Sequence, residues 1–255
     1  MRIGLISDVH GNLPALEAAL AALRREGFDR LLCAGDLVGY GPFPNECVSL
    51  VAETGVLCVA GNHDLMAIDA LDDSRAGALA RETLRWTRTV LDPEARAYLA
   101  SLPPTAAVGE LVMAHGSLHD PTAYVESDRA AAELAHLGEE HPEASLLVLG
   151  HTHTALAYGE QRGRLLEGRA GDAAIEAGER LLVNPGSVGQ PREWRPLVRF
   201  ALIDLDERLV HHRALSYDDA SVRRALMERG LPPDACHRRP PLPRAVRRSL
   251  ARLRR

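Results

Sequence analysis

The stretch Ile3-Gly4-Leu5-Ile6-Ser7-Asp8-Val9-His10-Gly11-Asn12 constrains the chain most. An apolar run ends in a carboxylate, an imidazole follows two residues later, and then Gly-Asn opens a helix-like segment. A short continuous apolar run is the pattern of a strand buried on both faces, which belongs to a parallel sheet. Strand side chains alternate with period two, so an Asp and a His two apart can face one side. The segment therefore supplies half of a metal site at a strand end.

The same unit recurs. Arg2–Asp8 reads as the first strand and Leu13–Gly27 as a helix, with Asn12 as N-cap, Pro14 in the first turn and Gly27 past the end. Arg30–Asp36 is a second strand, followed by the breaker-rich Gly39-Tyr40-Gly41-Pro42-Phe43-Pro44, a helix over Asn45–Glu53 and a third strand, Val56–Asn62. This βαβαβ order predicts a parallel sheet with right-handed crossovers. Leu65–Leu102 is Ala-, Leu- and charge-rich and reads as two or three helices inserted over the site. Strands return at Val108–Ala114 and Ser145–Leu149, with a helix over Ser127–Leu137. Ala155–Tyr158, Arg164–Leu166, Arg180–Val183, Leu197–Leu205 and Arg208–Ser216 follow without helices, a meander that suits a second, mainly antiparallel sheet. Asp218–Glu228 closes the chain as a helix.

Every predicted strand of the first half, and the two after the insertion, ends in polar residues: Asp8 and His10; Gly35-Asp36; Gly61-Asn62-His63-Asp64; His115-Gly116; Gly150-His151-Thr152-His153. In open α/β sheets ligands bind at this carboxyl edge. Seven donors from these loops, two Asp, an Asn carbonyl and four His, suit Mn²⁺, Fe²⁺, Zn²⁺ or Ni²⁺ better than Ca²⁺ or Mg²⁺. They are too many for one ion with open positions and enough for two with a shared carboxylate. Such a pair, about 3.5–4 Å apart, can polarise a phosphoryl oxygen and hold a hydroxide as nucleophile.

The pattern resembles the calcineurin-like metallophosphoesterases over roughly residues 1–205, with Asp-x-His, Gly-Asp, Gly-Asn-His-Asp, His-Gly and Gly-His-x-His complete and in order. Asp8–Asn12, Gly39–Pro42 and Asn184–Arg192 look like the bacterial and archaeal phosphodiesterase-type branch. The resemblance implies an α/β, αββα sandwich of two mixed sheets flanked by helices. It also implies two divalent ions, Mn²⁺ foremost. Asp8, His10 and His153 would hold one, Asn62, His115 and His151 the other, and Asp36 would bridge. His63 would face the substrate as general acid or stabiliser of transition-state charge. Protein Ser/Thr phosphatases of the superfamily continue Gly-Asp as x-Val-Asp-Arg-Gly. Here Leu37-Val38-Gly39-Tyr40-Gly41 lacks both that Asp and that Arg, which argues against a protein phosphatase and leaves Arg192 as a candidate phosphate clamp. A phosphomonoesterase or protein Ser/Thr phosphatase with the same metals is the rival reading, and a non-catalytic scaffold a more distant one. His119, four residues past His115, is a second candidate for reaching substrate.

Charge and composition narrow the partners. His237–Arg255 carries eight Arg and no acid, leaving about −13 of charge on residues 1–236 out of a net −5. An acidic body repels long polyanions, so the expected substrate is a small phosphodiester or nucleotide, with nucleic acid reachable only through the basic tail. Residues 1–236 read as one metallophosphoesterase domain. The four cysteines are not spaced as a zinc pair, no apolar stretch reaches membrane-span length, and the N-terminus enters a strand at once, which together predict a cytoplasmic protein.

Overall fold

The structure, a computed structural model, describes residues 1–237 and residue 239. Residue 238 and residues 240–255 of the basic tail lie outside the described residues. Twelve strands and seven helices are present among them. In chain order these are β1 (Arg2–Ile6), α1 (Leu13–Glu26), β2 (Arg30–Cys33), α2 (Pro44–Glu53), β3 (Leu57–Cys58), α3 (Asn62–Ala67), α4 (Ala78–Val90) and α5 (Pro93–Ser101). Then come β4 (Thr105–Val108), β5 (Leu111–Ala114), α6 (Ala130–Glu140), β6 (Leu146–Val148), β7 (Leu156–Gly159), β8 (Gly163–Glu167), β9 (Gly171–Ala174), β10 (Leu181–Asn184), β11 (Leu197–Asp204), β12 (Leu209–Ser216) and α7 (Asp219–Glu228).

Two six-stranded sheets form, in the orders β3-β2-β1-β11-β12-β9 and β4-β5-β6-β10-β7-β8. Period-two alternation sorts each strand between two cores. Ile3 and Leu5 of β1 face inward with Leu32, Met113, Val148, Val183 and Ile203 to form the core between the sheets. The alternate residues of the first sheet, with Ile6, Cys33, Phe200 and Leu202, pack outward on α1, α2, α4 and α5. Val112, Ala114, Leu147 and Leu182 of the second sheet cover α6. The result is the expected αββα sandwich of mixed sheets.

Several boundaries differ from the sequence reading. The meander does not make a separate antiparallel sheet. It is shared: β9, β11 and β12 extend the first sheet, while β7, β8 and β10 extend the second, so the first sheet is parallel at one side and antiparallel at the other, and the second is parallel at its centre (β5-β6-β10) with antiparallel pairs at both edges. Periodicity marks strands without naming their partners. Val108–Ala114 is the tip and return of a hairpin, β4 against β5, turning at Gly109 with φ +57°. Apolar residues on both sides of the turn hide it. Strand β9 was not anticipated, because Gly-Asp-Ala-Ala carries little apolar signal. Helix α6 starts at Ala130 rather than Ser127. The third strand shrinks to Leu57–Cys58, and Asn62 begins a helix instead of ending a strand. Gly61 lies so close to Asp36 that a Cβ there would fall on the Asp36 Oδ1 and backbone nitrogen. All four cysteines are free and buried. Among the described residues no helix is long and apolar enough to cross a membrane.

Candidate metal centre

The loops after β1, β2, β3, β5 and β6 meet at one rim, and backbone bonds fix them before any side chain contributes. Asp8 and His10 donate their amides to the carbonyls of Gly35 and Asp36, each at 2.9 Å. Gly150 donates to the carbonyl of His115 at 2.8 Å, joining the β5 and β6 ends. The turns are tight enough to force Asp8, His10, Asp36, Tyr40, His151 and His153 into left-handed backbone, with φ between +49° and +63°. For residues with a side chain that conformation is disfavoured, and it recurs where surrounding structure over-determines a functional constellation.

Two groups of three donors result: Asp8, His10 and His153; Asp36, His115 and His151. Within each, the ligand atoms lie within 4.8 Å of one another. Asn62 joins the second, its Oδ1 3.1 Å from His115 Nε2, and Asp36 Oδ2 stands between the groups, 3.6 Å from His10 Nε2 and 3.3 Å from His115 Nε2.

The hydrogen-bond pattern shows what these donors fit. His10 Nδ1–H donates to the Val38 carbonyl at 3.0 Å, and His153 Nδ1–H to the Gln190 carbonyl at 2.6 Å. The proton is committed there on both rings, so both Nε2 atoms carry lone pairs, and these face each other at 3.1 Å. Burial pulls both imidazoles below their ordinary pKa, His10 to about 3, so a proton does not relieve the contact. Asp8 Oδ2 and Asp36 Oδ2 are buried without a well-formed hydrogen bond, Asp36 Oδ2 having only the ring nitrogens of His10 and His115 beside it. An outer ring nitrogen donating to backbone while the inner one points at its neighbours is the arrangement of metal-ligating histidine. His115 follows it through the Ala34 carbonyl at 2.6 Å, and His151 through its Nε2 and the Thr122 carbonyl at 3.1 Å. Without a metal the cluster keeps a positive charge elsewhere. Burial opposes protonation of His115, but the Asp36 carboxylate outweighs it and pushes the ring up to about 10. Burial raises the Asp8 carboxyl to about 7. The donor set fits two divalent cations.

His63 sits beside this cluster. Its amide donates to Asp36 Oδ1 at 2.8 Å, its ring lies 4.7 Å from Tyr40 and 4.9 Å from His10, and its buried Nδ1 is unpartnered. Burial lowers its pKa, which favours the neutral ring. Asp64 does not orient it. That carboxylate accepts from the amides of Asp36, Leu37, Val38 and Gly61 at 2.7–3.2 Å, tying the β2 loop to α3.

A cavity of about 440 Å³ opens over the cluster, lined by Asp36, Asn62, His63, His151, His153 and Arg192. The segment from α3 to α4 walls one side through Met66, Leu71, Asp72 and Arg75. Arg192 comes from the loop before β11 and donates to the Tyr124 hydroxyl at 3.3 Å. His119 is not brought to the cavity. It is exposed and paired with Glu140 at 2.7 Å. Sequence reasoning missed Tyr124, Thr122 and Gln190, which come from irregular loops, and the two carbonyls among these contacts carry no sequence signature.

Comparison with known proteins agrees with this geometry. Residues 1–208 match the calcineurin-like phosphoesterase superfamily domain. A metallophosphoesterase from Sphaerobacter thermophilus superposes with a TM-score of 0.80 at 33% identity, covering 92% of this chain and 97% of that one. A protein of Methanocaldococcus jannaschii described as uncharacterized is 30% identical over 90% of this chain and 93% of its own length. Phosphodiesterase YfcE of Escherichia coli K12 is 26% identical over 74% of this chain and 86% of its own.

Proposed function

The chain belongs to the calcineurin-like phosphoesterase superfamily and is a metal-dependent phosphoester hydrolase; on that premise we propose that it is a phosphodiesterase acting on a small phosphodiester or nucleotide. The observation that carries the catalytic reading is the His10–His153 contact, two imidazole lone pairs held 3.1 Å apart by committed outer protons. In this reading Asp8, His10 and His153 hold one cation, Asn62, His115 and His151 hold the other, and Asp36 serves both. Mn²⁺ is the leading choice, with Fe, Zn or Ni matching the same donors. When bound, the two ions supply Lewis acidity and a water acidic enough to attack phosphorus.

The chain's own groups do the rest. Arg192 grips a phosphoryl oxygen; its Nε is buried without a partner on the protein. His63 carries a ring N–H that can donate to the departing oxygen, and burial favours its neutral form. Asp72 and Arg75 belong to the cavity wall, and the cavity volume of about 440 Å³ suits a small substrate. The missing Asp and Arg after Asp36 and the likeness to YfcE, a phosphodiesterase, both support diesters over phosphoproteins.

Rates on bis-p-nitrophenyl phosphate and p-nitrophenyl phosphate with added Mn²⁺ test the proposal. A higher kcat/KM on the diester is expected; preference for the monoester would assign a phosphomonoesterase. His63→Ala should lower kcat by roughly 10²–10⁴-fold with bound metal unchanged by elemental analysis. Loss of metal on that change would overturn the assigned role.

A further inference from the structure

Six large apolar side chains are exposed among the described residues, and only two are aromatic: Tyr124 and Trp194. Both flank Arg192. Tyr124 lines the metal cavity with it, while Trp194, 53% exposed, lines a neighbouring cavity of about 450 Å³. The two cavities share His153 and Arg192 in their walls and so lie side by side. Single exposed apolar residues are ordinary on protein surfaces. Two aromatics straddling the one arginine common to both cavities are a different arrangement.

The loop is built to present Trp194. Glu193, between Arg192 and Trp194, turns inward and accepts from Nε and Nη2 of buried Arg199 at 2.7 and 2.6 Å. Its carbonyl accepts from His237 Nε2 at 2.9 Å. Glu193 is clamped from both sides and lines the cavity together with its neighbours Arg192, Trp194 and Arg195, its carboxylate being paired with Arg199. Thr154 and Gly168 add polar and open wall, and Arg195 adds a second guanidinium at the rim. A flat aromatic face beside cationic donors, next to a phosphoryl site, matches a nucleobase, which offers a π-face for stacking and acceptors for arginine.

We propose that Trp194 is a specificity-determining residue, the stacking platform for the base of a nucleoside phosphodiester whose phosphoryl group sits at Arg192. This rests on the phosphodiesterase reading and narrows its substrate class.

Two measurements test it. The first uses metal-free protein carrying Trp86→Phe, so that Trp194 is the only tryptophan. Saturable quenching of its fluorescence by adenosine monophosphate is expected, and its absence would overturn the proposal. The second compares thymidine 5′-p-nitrophenyl phosphate with methyl p-nitrophenyl phosphate under Mn²⁺. Trp194→Ala should raise KM about tenfold for the nucleoside substrate alone, with kcat little changed, and Trp194→Phe should restore most of it. An equal rise for both substrates would place the nitrophenyl group on Trp194 and overturn the base assignment. Quenching without hydrolysis of any phosphoester would leave the subsite standing and sink the catalytic reading. Hydrolysis that ignores Trp194, with no quenching, would do the reverse.

Discussion

The two ends of the sandwich carry cavities of opposite character. At the carboxyl ends of β1, β2, β5 and β6 lies the metal cavity of about 440 Å³. At the amino ends lies a larger one, about 730 Å³, lined by Met1, Val108–Leu111, Glu176–Arg180 and Arg208. The larger cavity also holds charged groups, but several are met by the protein. Glu179 accepts from the Arg162 guanidinium at 2.5 Å and from two backbone amides at 2.8 Å, and Arg208 Nε donates to the Ile175 carbonyl at 3.0 Å. At the smaller cavity the acceptors point at one another. Size therefore does not mark the functional end; converging buried lone pairs do, because only a cation satisfies them.

The largest expected effect breaks that convergence. Asp36 Oδ2 stands 3.6 Å from His10 Nε2 of one donor group and 3.3 Å from His115 Nε2 of the other, so Asp36→Asn should lower turnover by at least roughly 10³-fold, since metal stabilisation of the transition state is worth several kcal/mol. It should also abolish the metal-linked rise in stability. For the unsubstituted protein that rise is about 2.7 kcal/mol at 100 times the dissociation constant, read as a melting shift on adding Mn²⁺. An Asp36→Asn protein that still shows the full shift would remove the shared-carboxylate assignment.

A second prediction separates a buried histidine that fits metal from one that does not. His212 in β12 is as buried as His10, but its Nε2–H donates to the Asn184 carbonyl at 3.1 Å and no second ring nitrogen faces it. Burial lowers its pKa to about 4. On acidification the unfolded chain takes up this proton near 6.5, the folded chain only near 4. The stabilisation is complete above pH 6.5, is lost progressively as pH falls toward 4, and changes little below that. The loss is about 3 kcal/mol. Urea unfolding of chelator-treated protein across this range should show a decline shallower by that amount in His212→Gln, which keeps a donor for Asn184. Equal slopes in the two proteins would show that the ring does not resist protonation.

The same contrast explains what could be read without coordinates. Each candidate donor follows an apolar run, so the rim and its candidate donors were legible, because a buried strand must end somewhere and polar residues gather where it does; the αββα layer order came with the family resemblance. Which sheet each strand of the meander joined was not legible, because period two fixes faces and leaves partners open. Asp64 was legible as an acid but not as the organiser of four amides. His119 shared the His115 loop in sequence, yet the turn at Asp120, whose carbonyl takes the Ser117 amide at 2.9 Å, carries it to Glu140. Trp194 gave no signal at all, since its meaning lies in the cavity it shares with Arg192.

The smallest expected effect lies at the larger cavity. Arg208 shares the left-handed backbone of the metal loops, with φ +56°, but it sits in the β11–β12 turn. There the strain serves chain reversal, a task in which Asn tolerates that conformation better than Arg. Arg208→Asn removes a guanidinium from the cavity wall while easing the turn, and it gives up the bond to Ile175. These effects oppose one another, so stability should stay within about 0.5 kcal/mol and turnover on bis-p-nitrophenyl phosphate should be unchanged. A tenfold fall in turnover with normal stability would show that the amino-end cavity takes part in catalysis, and the distinction between the two ends would have to be redrawn.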